Sequence, residues 1–134
     1  MFARSKEAGR RRPNVVIAHS DPAYAAGAAR AFRRYGWEVV AAADGPEARR
    51  LAAAPAVRLV VLETELPDES GWLTSAKLTA IGFRAPVVLV GDEGGAAEDA
   101  FAAFAGAVRL ITRRQGYEAL LEEAGLTVPV TQVV

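Results

Sequence analysis

The chain contains no cysteine and only one histidine. Without cysteine there is no disulfide framework and no thiolate metal site. Net charge is also absent: 16 lysines and arginines balance 16 aspartates and glutamates. Attraction of the whole domain to nucleic acid or to a membrane is therefore not expected. No run approaches the roughly 18 apolar residues of a membrane span, and the amino terminus has no apolar stretch of signal-peptide length. No G-x-G-x-x-G follows the first apolar run, so a dinucleotide site is unsupported. A cytoplasmic domain without a membrane anchor is the expectation these absences leave.

What is present is a globular composition, with 51% hydrophobic residues and a mean hydropathy of +0.13 over 134 residues. That length suits one domain with its own core. From Pro13 onward short apolar runs alternate with helical patterns, the signature of a parallel α/β sheet. Strands are predicted at 14–18, 37–42, 59–62, 87–90 and 108–112. Helices are predicted at 22–35, 45–54, 71–81, 96–105 and 117–124. Ser20-Asp21-Pro22 offers a cap followed by proline at the first helical position, and Asp44-Gly45-Pro46 opens the second helix. Gly36, Gly106 and Gly125 punctuate helix ends.

One segment carries more information than the rest: Leu59-Val60-Val61-Leu62-Glu63-Thr64-Glu65-Leu66-Pro67-Asp68-Glu69-Ser70-Gly71. Four β-formers in a row read as a strand buried on both faces. Glu63 then falls at the strand's carboxyl end, where open parallel sheets place their sites. This segment resembles the acceptor segment of response-regulator receiver domains, where Leu-Asp is followed by Leu-Pro and then Gly. Residues 40–45, ending in Ala-Asp-Gly, and Gly106-Ala107 match further marks of that family. The resemblance spans 14–124. It implies a flavodoxin-like three-layer (βα)5 sandwich, with a five-stranded parallel sheet in the order 2-1-3-4-5, and a place in two-component phosphorelay signalling.

The residues that would carry the family's chemistry differ. Glu63 stands at the acceptor aspartate. Its extra methylene moves the carboxylate by roughly 1.5 Å, and about 1 Å of misplacement can cost a hundredfold in rate. His19 and Ser20 stand where the resemblance implies an acidic pair for Mg²⁺, a hard cation that wants oxygen ligands. Gly91 replaces the hydroxyl residue ending the fourth strand, Arg113 the lysine ending the fifth, and Arg114 the proline after it. Leu110 occupies the aromatic switch position. Arginine's planar fork favours a bidentate carboxylate contact, so an Arg113–Glu63 ion pair is predicted. Asp21 reads as a helix cap. A lone histidine such as His19 is expected to hydrogen-bond the backbone.

The reading is a pseudo-receiver that acts by protein–protein contact without phosphoryl transfer. It is not an enzyme and has no Mg²⁺ cofactor or other metal. The partner would be a histidine kinase or another signalling protein, and a homodimer is an open alternative. Phe101, Phe104, Arg109, Tyr117 and Leu121 lie in the region that in the family forms the interface. The rival is an operating phospho-receiver with Glu63 as an unconventional acceptor and unusual metal ligation. A third reading is a nucleic-acid-associated regulator using a basic arm at 1–12, which holds Arg4, Lys6, Arg10, Arg11 and Arg12 against Glu7. Nucleic acid is nonetheless not the expected partner, since no aromatic residues interleave with those cations. The domain proper spans 13–125. The stretch 126–134, uncharged and with Pro129 in its middle, reads as a tail that could add to a sheet edge.

Overall fold

The computed structural model describes residues 12–127, so most of the basic arm and of the carboxyl-terminal tail lie outside the described residues. The elements are β1 (Asn14–Ala18), α1 (Pro22–Arg33), β2 (Glu38–Ala42), α2 (Gly45–Ala52) and β3 (Val57–Glu63). They continue as α3 (Gly71–Ala80), β4 (Val87–Gly91), α4 (Ala96–Phe104), β5 (Arg109–Thr112) and α5 (Glu118–Glu123). The sheet is parallel throughout, in the order β2-β1-β3-β4-β5. The flavodoxin-like (βα)5 architecture expected from the sequence is the one observed.

Period-two alternation splits the strands between two cores. Val16, Val60, Leu62 and Leu89 face the layer of α2, α3 and α4, together with Leu78. Val15, Ile17, Val61 and Val88 face α1 and α5, packing with Phe32 and Leu120. Both faces of the central strands are therefore dry, which explains their unbroken apolar runs.

Boundaries moved where a charge or a turn intervened. β3 begins at Val57, not at residue 59, because Arg58 is a bulge: Asn14 pairs with Val57 and Val15 with Leu59. Arg58 sends its side chain to solvent and so breaks the apolar run without ending the strand. The last helix is shorter than predicted. Its approach is occupied by a 3₁₀ turn, Arg113–Gln115, where the Gln115 carboxamide accepts from the Thr112 N–H at 2.7 Å. The predicted caps hold: Asp21 accepts from the Ala23 N–H at 2.9 Å and Asp44 from the Glu47 N–H at 2.8 Å.

Candidate functional site

The carboxyl ends of the strands bring Glu63, His19, Ser20, Gly91 and Arg113 to one edge of the sheet. Glu63 ends β3, and α3 begins close above it. A Cβ on Gly71 would overlap the Glu63 carbonyl, while the Gly71 N–H bonds the Thr64 carbonyl at 2.9 Å. The glycine of the motif is thus required by close backbone approach.

Glu63 turns toward β1. Its Oε1 accepts from the Ser20 N–H at 2.8 Å and lies 3.9 Å from His19 Nδ1. That nitrogen itself accepts from the Asp21 N–H at 3.0 Å, so the imidazole is neutral with its proton on Nε2. The expected backbone hydrogen bond of His19 is present. Its side chain is 1% exposed and its ring lies 4.5 Å from that of Tyr24. Burial pulls the His19 pKa below its ordinary value. Glu63 opposes that shift, and the Arg113 charge adds to it.

Arg113 does not pair with Glu63, contrary to the sequence-based expectation. Its guanidinium contacts the Asp21 carboxylate and approaches Asp92 at 3.8 Å. The reason is local. Each carboxylate accepts one backbone N–H through one oxygen, Glu63 from Ser20 and Asp21 from Ala23, and the β1–α1 loop turns the second Asp21 oxygen to the arginine. Gly91 leaves room beside it: a Cβ there would lie 3.4 Å from Thr64 Oγ1, an ordinary contact. Leu110 is buried in the core beneath α4. An open cleft of about 300 Å³ at this edge is lined by Glu63, Glu65, Asp92, Glu93, Glu98 and Trp72, among others. Among the described residues no group of three or more acidic or histidine side chains is arranged to hold a metal ion.

The five surface candidates differ in exposure. Phe104 is 87% exposed, and Phe101 is 52% exposed with its ring 4.8 Å from that of Trp72. Arg109 is held by Glu122 at 2.9 Å and Glu123 at 3.4 Å. Tyr117 packs on Tyr24, with ring centroids 5.2 Å apart, over the space left by Gly27. Leu121 is buried in the α1–α5 core, at the floor of a shallow cleft with Gly27 and Tyr117.

The residue that sequence reasoning missed is Glu69. Its carboxylate, 5% exposed, accepts from Arg49 at 2.9 and 3.0 Å, Lys77 at 2.8 Å and the Thr74 hydroxyl at 2.6 Å. These bonds tie the β3–α3 loop to α2 and α3. The Arg49 hydrogen bonds chiefly lower its pKa, to about 2, with Lys77 and Thr74 contributing and burial opposing. Asp68, the one non-glycine residue with positive φ (68°) among those described, turns the chain just before it.

A family model for the response regulator receiver domain matches residues 15–125. None of the curated proteins matches the sequence. Among solved structures, the receiver domain of the Francisella response regulator 1452 superposes with a TM-score of 0.78 at 19% identity, covering 86% of this chain and 95% of that one. A CheY-like receiver domain protein from Methanospirillum hungatei JF-1 gives 0.75 at 21%, covering 85% and 91%. A Burkholderia pseudomallei response regulator, solved with a phosphorylated aspartic acid, calcium ion and citrate, gives 0.73 at 23%, covering 90% and 70%.

Proposed function

The chain belongs to the response regulator receiver domain family, and on that premise we propose that it is a pseudo-receiver, signalling by protein contact without phosphoryl transfer or catalysis of its own. The observation that carries this reading is that Glu63 and Asp21 at the acceptor edge already have partners. Ser20 N–H occupies the Glu63 carboxylate, and Arg113 occupies Asp21. The donors do not fit Mg²⁺. His19 Nδ1 is spent on a backbone N–H, Gly91 has no side chain, and a guanidinium stands on Asp21, the single carboxylate of the β1–α1 loop. A hard, octahedral cation needs several free oxygens, and Arg113 adds repulsion.

Phosphorylation by a small donor would also bring an anion toward Glu63, Glu65, Asp92 and Glu93, a cluster that repels it. Leu110, buried and aliphatic, has neither ring nor hydroxyl with which to report on the edge. Contact with a kinase or other signalling protein, in the cytoplasm, would instead use permanent surface features. Phe101 and Phe104 are the exposed aromatic candidates.

The test is incubation of the full chain with a small acyl phosphate and Mg²⁺, followed by intact-mass measurement. The expected result is unchanged mass. A stoichiometric phosphoryl adduct on Glu63 would establish the rival reading, an operating receiver with a glutamate acceptor.

A further inference from the structure

The chain has no net charge, yet the fold sorts its charges by pole. Carboxylates crowd the carboxyl ends of the strands, while at the opposite end an arginine stands at or just before the start of every strand. Along the sheet these are Arg34 before β2, Arg12 before β1, Arg58 in β3, Arg84 before β4 and Arg109 opening β5. Arg109 is committed to Glu122 and Glu123. Arg12, Arg34, Arg58 and Arg84 are exposed and make no ion pair among the described residues, as is Arg33 beside them.

Backbone bonds fasten these strand starts side by side: Glu38 N–H to Pro13 at 3.0 Å, Asn14 N–H to Ala56 at 2.9 Å, Val60 N–H to Pro86 at 3.1 Å. With neighbouring strands about 4.8 Å apart, the arginines root in a row along the sheet's lower edge. The helix dipole favours cations at helix carboxyl ends and so accounts for Arg33. It does not account for Arg12, Arg58 or Arg84, which lie on strands and loops. Glu38 is the one exposed acid at the start of a strand here.

Zero net charge does not cancel this pole. The strands run for four to seven residues, which at about 3.3 Å per residue separates the poles by roughly 13–23 Å. The Debye length at physiological salt is about 8 Å, so a polyanion at the lower edge meets the arginines largely free of the distant carboxylates.

We propose that this arginine edge binds the phosphate backbone of nucleic acid without reading base sequence, independently of the pseudo-receiver reading. Planar guanidinium forks suit phosphate oxygens. Tyr35, 48% exposed and next to Arg33 and Arg34, offers a ring for base stacking. A polyanion of many phosphates suits a row of arginines spread along the sheet edge, whereas in the acidic pole of a second copy Asp21 and Asp92 already face Arg113. Ile81, Phe104 and Val108 are also exposed in the turns before β4 and β5, beside Arg84 and Arg109, so anionic phospholipid is the competing occupant that the experiment separates.

The experiment measures anisotropy of labelled single-stranded DNA of mixed sequence with the full chain across a salt series. Binding should weaken steeply with salt. An R58Q/R84Q variant, both sites being exposed, should reduce the log–log salt slope by about 1.4 and weaken low-salt binding by about tenfold or more. R114Q, at the opposite pole, removes one charge and should leave binding unchanged. The proposal is overturned by absence of binding at low salt, or by binding that R58Q/R84Q leaves intact. It is equally overturned by binding to anionic phospholipid vesicles but not to DNA, or by low-salt self-association that the double variant abolishes.

Discussion

Replacing Glu69 with glutamine keeps the side-chain shape and removes the charge that Arg49, Lys77 and Thr74 surround. A carboxyl lowered from 4.5 to about 2 corresponds to about 3 kcal/mol, at about 1.4 kcal/mol per tenfold change in proton affinity. Arg49 and Lys77 are themselves 33% and 47% exposed, so solvent screens part of this and about 2 kcal/mol is the working figure. At this chain length that lowers the midpoint of thermal unfolding by roughly 6–8 °C near pH 7. Because the folded pKa is depressed, the stabilisation is complete above the ordinary value of 4.5 and is lost as pH falls through about 2. Urea unfolding, followed by the fluorescence of Trp37 and Trp72, should therefore show wild type and E69Q converging between pH 4.5 and 2. Equal stability at pH 7 would refute the argument. So would a difference that persists undiminished at pH 2, since the loss would then be one of packing rather than charge.

Further outcomes follow from other contacts. Because the chain has a single histidine, its imidazole resonances can be titrated without ambiguity by NMR. R113Q should raise the His19 pKa and E63Q should lower it, since Arg113 pushes it down and Glu63 pushes it up. Gly71→Ala should cost about 1–3 kcal/mol in chemical denaturation, because its methyl would overlap the Glu63 carbonyl. Phe104→Ser should change folding stability by less than about 0.5 kcal/mol, whereas Phe101→Ala should cost about 1 kcal/mol through loss of the Trp72 stack. Thermal unfolding of the two variants separates these.

The α/β order was legible because each apolar run is short and the early helices open on Asp-Pro or Asp-Gly-Pro. Arg58 shows the limit of that reading: a bulge hides from periodicity, since one charged residue in a strand looks like its end. The site residues were legible as positions but not as partners. Which carboxylate Arg113 would take depended on where the β1–α1 loop holds Asp21, a property of the loop and not of residue type. Glu69 sits among Glu63, Glu65 and Asp68, and nothing in their spacing marks it as the buried one. The arginine edge was hidden for a different reason. Its members are spread from Arg12 to Arg84, and only the parallel topology gathers them.

The central claim is that the acceptor edge does not offer Mg²⁺ a set of free oxygen ligands. Backbone amide NMR of the full chain during Mg²⁺ titration tests this most directly. The expected result is no saturable shifts at Ser20, Asp21, Glu63 and Thr64, because the Ser20 N–H holds Glu63 Oε1 and both Asp21 oxygens are engaged. Saturable shifts confined to those amides, with Arg113 released from Asp21, would contradict it.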